Sequence, residues 1–191
     1  MPSSFLSECK QKVLNRIESL LVNKDQVTSS MRYSALADSK CIRAGLVFAS
    51  GKLEGQLDEV GLTDIATSIE LMHSYSLIHD DLPAMDDDGM RRGQPSNHVK
   101  FNEATAILAG DALQALAFET IASSKGIIDA HKVEAVKMLA AACGHQGMVL
   151  GQQYDLDAEK NELLDIELIH SLKTAKLIQV ALTMPYLGNE M

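Results

Sequence analysis

The sequence predicts an all-α protein, an orthogonal or antiparallel helical bundle, on three observations. Apolar residues recur at spacings of three and four through most of the chain, and no segment sustains the period-two alternation of a strand. Glycine, proline and polar clusters then punctuate the periodic stretches at intervals suited to helices joined by short connections. No repeat, low-complexity tract or domain-sized linker breaks this pattern, so residues 1–191 read as a single helical domain.

Taken in order, residues 4–22 carry Phe5, Val13, Ile17 and Leu20 or Leu21 at near-helical spacing, and the polar stretch 23–30 reads as a connection. A helix is expected from about Met31 to Ser50, ending in a glycine-rich turn over 51–56. Thr63 is placed to cap an apolar helix that runs through Ile65 and Ile78 to Asp80, and Gly89, Gly93 and Pro95 close that unit. Further helices are expected at 103–122, 131–150 and 162–184, the last stopped by Pro185.

Hydrophobic residues make up 46% of the chain and charged residues 23%, ordinary for a globular domain, and 191 residues suffice for a sizeable core. The formal net charge of −9 argues against nucleic-acid and anionic-membrane surfaces, so an anionic substrate must be drawn in by local cations. Cys9, Cys41 and Cys143 are odd in number, far apart and without ligand spacing, which suits small buried hydrophobes in a reduced compartment. No run of about 18 apolar residues and no signal-peptide pattern is read, so a soluble, cytoplasmic protein without membrane insertion is expected.

Chemistry concentrates between His73 and His98. Asp80, Asp81, Asp86, Asp87 and Asp88 lie within nine positions, and like charges so crowded repel unless water screens them or a multivalent cation binds. Mg²⁺ takes one or two carboxylates and completes its shell with water and phosphate oxygens, so the cluster followed by Arg91 and Arg92 reads as a site for magnesium diphosphate. A solvated acidic loop with a basic finish is the competing reading. His73, Ser76, Leu77 and Asp80 share helical spacing, and Pro83 disturbs the helix beyond them. On an unbroken helix Asp86 would point well away from Asp80, and a bulge permitted by Pro83 is expected to bring it back to the same ion.

The DDxxxxD pattern of Asp80, Asp81 and Asp86, followed by Arg91-Arg92-Gly93, resembles the first aspartate-rich motif of the trans-isoprenyl diphosphate synthases, most closely the bacterial farnesyl diphosphate synthase branch. The likeness runs through 78–101, 106–118, 151–159 and 169–178 and covers roughly residues 31–180 in the family's order. It implies the isoprenoid synthase type of helical fold, a Mg²⁺ cofactor and a prenyltransferase that condenses an allylic diphosphate, dimethylallyl or geranyl, with isopentenyl diphosphate to give farnesyl diphosphate. By the same resemblance Asp80, Asp81 and Asp86 are the metal ligands, and Asp80, Asp81, Arg91 and Lys173 form the catalytic set, with Arg91 and Lys173 gripping the allylic diphosphate. Thr174 and Gln152 join the substrate contacts, and Lys40, Arg43, His73 and Arg92 hold isopentenyl diphosphate. Tyr75 and Ser76, five and four residues before Asp80, fall where the family sets product length, and Tyr75 favours a C15 over a C20 product.

Departures from the family pattern matter as much. Against its GGKRxRP segment, residues 38–44 keep Lys40 and Arg43 but replace the paired glycines, the middle arginine and the proline, and Asp38 adds a negative charge, which implies weaker binding. Asp111 interrupts an apolar helix, where a buried carboxylate needs partners, and Gly144, Gly147 and Gly151 allow close helix packing. Asp155 is expected to line the cavity with Gln152, His79 to be structural, and His98 to bond within its loop. The family's second DDxxD motif, downstream of Lys173, is absent from these 191 residues, so the bundle is expected to be incomplete at its carboxy terminus. Three readings follow: part of a farnesyl diphosphate synthase, a non-catalytic diphosphate-binding or partner subunit of a full-length synthase, or a terpene cyclase relative, from which the MRRG and KT blocks point away. Family members commonly form homodimers through helices, which the resemblance implies here too.

Overall fold

The structure, a computed structural model, describes residues 2–158 and 165–188. Its described residues form α1 (Pro2–Leu20), α2 (Gln26–Ala35), α3 (Ile42–Glu54), α4 (Glu59–Asp80), a two-strand hairpin of β1 (Met90–Arg91) and β2 (Gln94–Pro95), α5 (Asn97–Lys100), α6 (Glu103–Ala122), α7 (Asp129–Cys143), α8 (Met148–Ala158), α9 (Ile166–His170), a π turn (Ser171–Ala175) and α10 (Lys176–Thr183). The all-α expectation holds.

The axis of the bundle is α4, whose Ile65, Ile69, Leu71 and Met72 are fully buried. Against it lies α6, which presents Ala106, Ala109, Leu113 and Ala117, so mostly small side chains let the two backbones approach. Ser68 donates to the Ala117 carbonyl at 2.7 Å across that seam. This makes α6 long and apolar enough by composition to cross a membrane, which the reading of no such stretch missed; one face of it packs along α4. Asp111 departs from expectation as well. Its side chain is 64% exposed on the outer face of α6, 3.8 Å from His79, so it is not a buried carboxylate.

Several boundaries move for local reasons. The helix expected over 31–50 is two helices, because Asp25 caps a start at Gln26 by accepting from the Thr28 amide at 2.8 Å, and the chain turns between Ala35 and Ile42 with Cys41 at φ 45°. A cap at Asp58, which accepts from the Gly61 amide at 2.8 Å, starts α4, while Thr63 bonds back to the Glu59 carbonyl. The helix expected over 131–150 breaks at 144–147, where Gly147 lies so close to the Ala141 carbonyl that a Cβ would sit 2.8 Å from it. In place of one helix over 162–184 the described part starts at the Asp165 cap, swells into the π turn and ends at a 3₁₀ turn, Met184–Tyr186, that contains Pro185; residues 162–164 lie outside the described residues.

Candidate active site

Two cavities meet at the carboxy-terminal half of α4, and the elements just described deliver their walls. The first, about 300 Å³, is lined by Tyr75, Ser76 and Asp80 of α4, Gln152 of α8, and Lys173 and Thr174 of the π turn. A π turn widens a helix locally and is frequent at functional sites. This one is held by close packing: Gly151 of α8 approaches so near that a Cβ would lie 2.7 Å from the Lys173 Cα. Lys173 is thereby aimed inward, 2.6 Å from the Asp155 carboxylate and 3.4 Å from that of Asp80.

Beyond Asp80 the backbone folds back at Pro83. The Leu82 amide bonds to the His79 carbonyl at 3.2 Å, the Met85 amide to Leu82 at 2.8 Å, and the Asp86 amide to the Asp80 carbonyl at 2.9 Å. Asp86 therefore returns beside Asp80, as the spacing required. Asp81 does not join them. Consecutive helical residues diverge by about 100°, and Asp81 turns to the opposite side, buried and held by Arg91, whose Nε donates at 2.9 Å. Arg91 also reaches Asp88 at 3.2 Å, so both of its partners here are carboxylates.

Burial raises the pKa of Asp80, Lys173 opposes that rise, and nearby Asp86 adds to it. Burial likewise pushes Asp81 up, against the pull of Arg91, while the Asp81 bond raises Arg91 further above its ordinary range. For Lys173, burial favours loss of the proton, yet its bond to Asp155 and the charges of Asp80, Asp155 and Asp86 outweigh this and raise its pKa.

The second cavity, about 600 Å³, is lined by Lys10, Lys40, Arg43, Glu70, His73 and Arg92, among others. All four residues expected to hold isopentenyl diphosphate meet here, and Arg43 and His73 also border the first cavity. Arg92 owes its place to the hairpin turn, where Arg92 and Gly93 take φ values of 53° and 80°, the pattern of a type I′ turn. Buried Glu70 accepts from the Ala44 amide at 3.0 Å below Arg43, whose buried Nε has no hydrogen-bond partner among the described residues. Burial first, then Arg43, Arg92 and Arg91, push His73 down to about 3, so it is a neutral imidazole at pH 7. Asp38, expected to oppose an anion, is instead paired with Lys10 at 2.6 Å. Lys10 and Glu70 are the site residues that sequence reasoning missed. No local motif marks Lys10, which is 28 positions from Asp38.

Tyr75 packs edge-on against His79, with ring centroids 5.1 Å apart, and burial raises its phenol pKa. His79 bonds to the Ile107 carbonyl at 3.0 Å and His98 lies 3.3 Å from the Ser96 hydroxyl, as their expected structural roles require. Gln152 presents at the first cavity a buried Nε2 without a partner among the described residues.

Among the described residues no three His, Cys, Asp or Glu side chains converge as a metal-binding group. The oxygen donors nonetheless fit Mg²⁺: Asp80 and Asp86 are drawn together by the loop, and this ion needs only one or two carboxylates, with water and phosphate completing its octahedron.

Residues 24–190 match the family model described as Polyprenyl synthetase. The chain is 46% identical over 160 residues to the farnesyl diphosphate synthase of Haemophilus influenzae, an alignment that covers 83% of this chain and 54% of that one. It is 44% identical over 183 residues to the farnesyl diphosphate synthase of Escherichia coli, covering 94% of this chain and 61% of that relative. The chain thus spans less than two thirds of the length of these curated relatives. Among solved structures, the geranyltransferase from Legionella pneumophila superposes with a TM-score of 0.92 at 39% identity, over 99% of this chain and 69% of the other. An FPP/GFPP synthase from Zymomonas mobilis gives 0.91 at 36% identity, over 98% and 72%. A match that runs from residue 24 to residue 190, through every element lining the first cavity, means that the chain belongs to the polyprenyl synthetase family.

Proposed function

We propose that this chain binds an allylic diphosphate in the first cavity and isopentenyl diphosphate in the second, as part of a prenyltransferase that makes farnesyl diphosphate. The observation that carries the reading is the shared wall: Arg43 and His73 border both cavities, so two diphosphates held there lie side by side. In this reading Asp80 and Asp86 hold the metal, and Mg²⁺, when bound, supplies charge neutralisation for the departing diphosphate. Lys173 grips the allylic diphosphate, with Thr174 and Gln152 completing its contacts. The Gln152 Nε2, unpartnered among the described residues, is a ready donor for it. Arg91, expected to share that grip, is paired with Asp81 outside the lining of this cavity and acts by holding the acidic loop.

The allylic C–O bond breaks and its electron pair leaves with the diphosphate. The double bond of isopentenyl diphosphate then supplies the pair for the new C–C bond, and proton loss to the released diphosphate restores a double bond. Met85, Met148 and Leu177 wall the first cavity with apolar surface, which keeps water from the cationic carbon. Lys40, Arg43 and Arg92 supply charge to the second diphosphate, and neutral His73 supplies a hydrogen bond rather than a charge. Tyr75, beside Ser76 on the wall of the first cavity, is assigned to limiting the product to fifteen carbons. A homodimer through the exposed face of α6, with Ile107 and Leu108, belongs to the same proposal.

A second reading, a diphosphate-binding or partner subunit without turnover, is favoured by one observation. Arg91 and Lys173 already answer Asp81 and Asp80 within the chain. Steady-state condensation by the 191-residue chain with Mg²⁺, geranyl diphosphate and labelled isopentenyl diphosphate separates the two. Product that disappears in Asp80→Ala supports the enzyme. A folded chain that binds isopentenyl diphosphate yet yields no product supports the binding subunit.

A further inference from the structure

The second cavity contains a cation from outside the stretch that the family model matches. Lys10 projects from α1, whose residues precede the start of the family match at residue 24, and lines the cavity together with Lys40, Arg43 and Arg92. At the position of the family's middle arginine this chain has Cys41, a buried residue with no charge to offer. Lys10 acts on that same place: its charge and that of Arg92 both favour the thiolate form of Cys41, although burial dominates and raises its pKa. The same two cations also act on Asp38.

The pairing of Lys10 suits exchange with a ligand. Its side chain is 29% exposed and its stem lies against the protein, whereas the Asp38 side chain is 97% exposed. A carboxylate in bulk solvent holds its partner weakly and is readily rehydrated, so an arriving diphosphate with several charges displaces it at little cost. Lys10 thus lines the cavity with a partner that an arriving ligand can replace.

We infer that Lys10 is a ligand of the diphosphate in the second cavity, supplied from α1 in place of the arginine that Cys41 replaces. This rests on the proposed reading of that cavity as the isopentenyl diphosphate site.

Calorimetric titration of the full chain with isopentenyl diphosphate, in chelator and without Mg²⁺, tests the assignment. A charge-assisted contact at a partly exposed site predicts roughly tenfold weaker binding in Lys10→Met, with affinity largely restored in Lys10→Arg. Lys12→Met is the matched control. It removes the same charge two residues along α1, where Lys12 pairs with Glu59 at 2.9 Å outside the cavity lining, and should bind within twofold of the unaltered chain. Arg43→Gln reports on the cavity itself and should weaken binding strongly, with circular dichroism checking the fold of each variant. If Arg43→Gln weakens binding while Lys10→Met binds normally, Lys10 is not a ligand and the cavity reading stands. Equal losses in Lys10→Met and Lys12→Met reduce the effect to overall charge and overturn the assignment. No binding by the unaltered chain overturns the cavity reading and the role of Lys10 with it.

Discussion

Gly151 is where the geometry of the site is most sharply exposed to a single methyl group. A Cβ there would sit 2.7 Å from the Lys173 Cα and 2.9 Å from the Leu172 carbonyl carbon, both backbone atoms that no rotamer change moves aside. Gly151→Ala must therefore push α8 from the π turn. Overpacking of this kind costs roughly 1–3 kcal/mol, and the better helix propensity of alanine returns up to about 1 kcal/mol. Because both contacts are to backbone that cannot yield, the overpacking sits at about 2–3 kcal/mol, so a net loss of about 1–3 kcal/mol is expected, which for a chain of this size lowers Tm by about 2–12 °C. The displacement also separates Lys173 from Asp155, now 2.6 Å apart, so affinity for an allylic diphosphate falls with stability. Gly89→Ala is the contrast, since nothing among the described residues lies within 4 Å of its Cβ position, and should leave Tm unchanged. Calorimetric melts of the three chains decide the matter. A Tm for Gly151→Ala equal to or above that of the unaltered chain would refute the close packing of α8 on Lys173.

Other perturbations follow from the same contacts. His73 is held at about 3 in the folded chain against 6.5 ordinarily, so the unfolded chain binds a proton that the folded one refuses. Stability from this group is full above pH 6.5 and is lost as pH falls from there towards 3. Urea midpoints at pH 7.5 and 5.0 should differ less in His73→Gln, and an identical drop in both chains would contradict the assignment. Asp81→Ala leaves Arg91 without its buried partner. Because Arg91 is a third exposed the loss should sit at the low end for such pairs, about 3 kcal/mol, read as a lower denaturant midpoint. Arg92→Asn places the residue favoured by a type I′ turn at φ 53°, and should raise Tm by about 2–4 °C per kcal/mol of relieved strain while weakening isopentenyl diphosphate binding. A fall in Tm would show that the Arg92 side chain stabilises the loop more than its backbone strains it.

Much of this molecule follows from local pattern in the chain. The 3.6-residue periodicity placed α1 and α6 to within two residues, and the proline three residues after Asp80 announced the fold-back that sets Asp86 beside Asp80. Residue identity in spaced blocks located Arg43, His73, Asp80, Gln152, Lys173 and Thr174, all of which line one cavity. Such features depend on chemistry within a few positions, and sequence carries that directly. Helix breaks were less legible. The break between α2 and α3 falls inside the single helix that the spacing predicts, and a left-handed Cys41 marks the restart at Ile42. What tertiary structure alone decided is the partner of each charge. Asp81 and Asp80 are neighbours in sequence, yet a rotation of about 100° sends one to Arg91 and the other to Lys173. Lys10 meets Asp38 across 28 residues and Arg16 meets Asp64 across 48, pairings fixed by how α1 docks on the bundle. Periodicity shows which face of a helix is buried but not which other helix it meets, so the charges that gather round the two cavities are settled by packing.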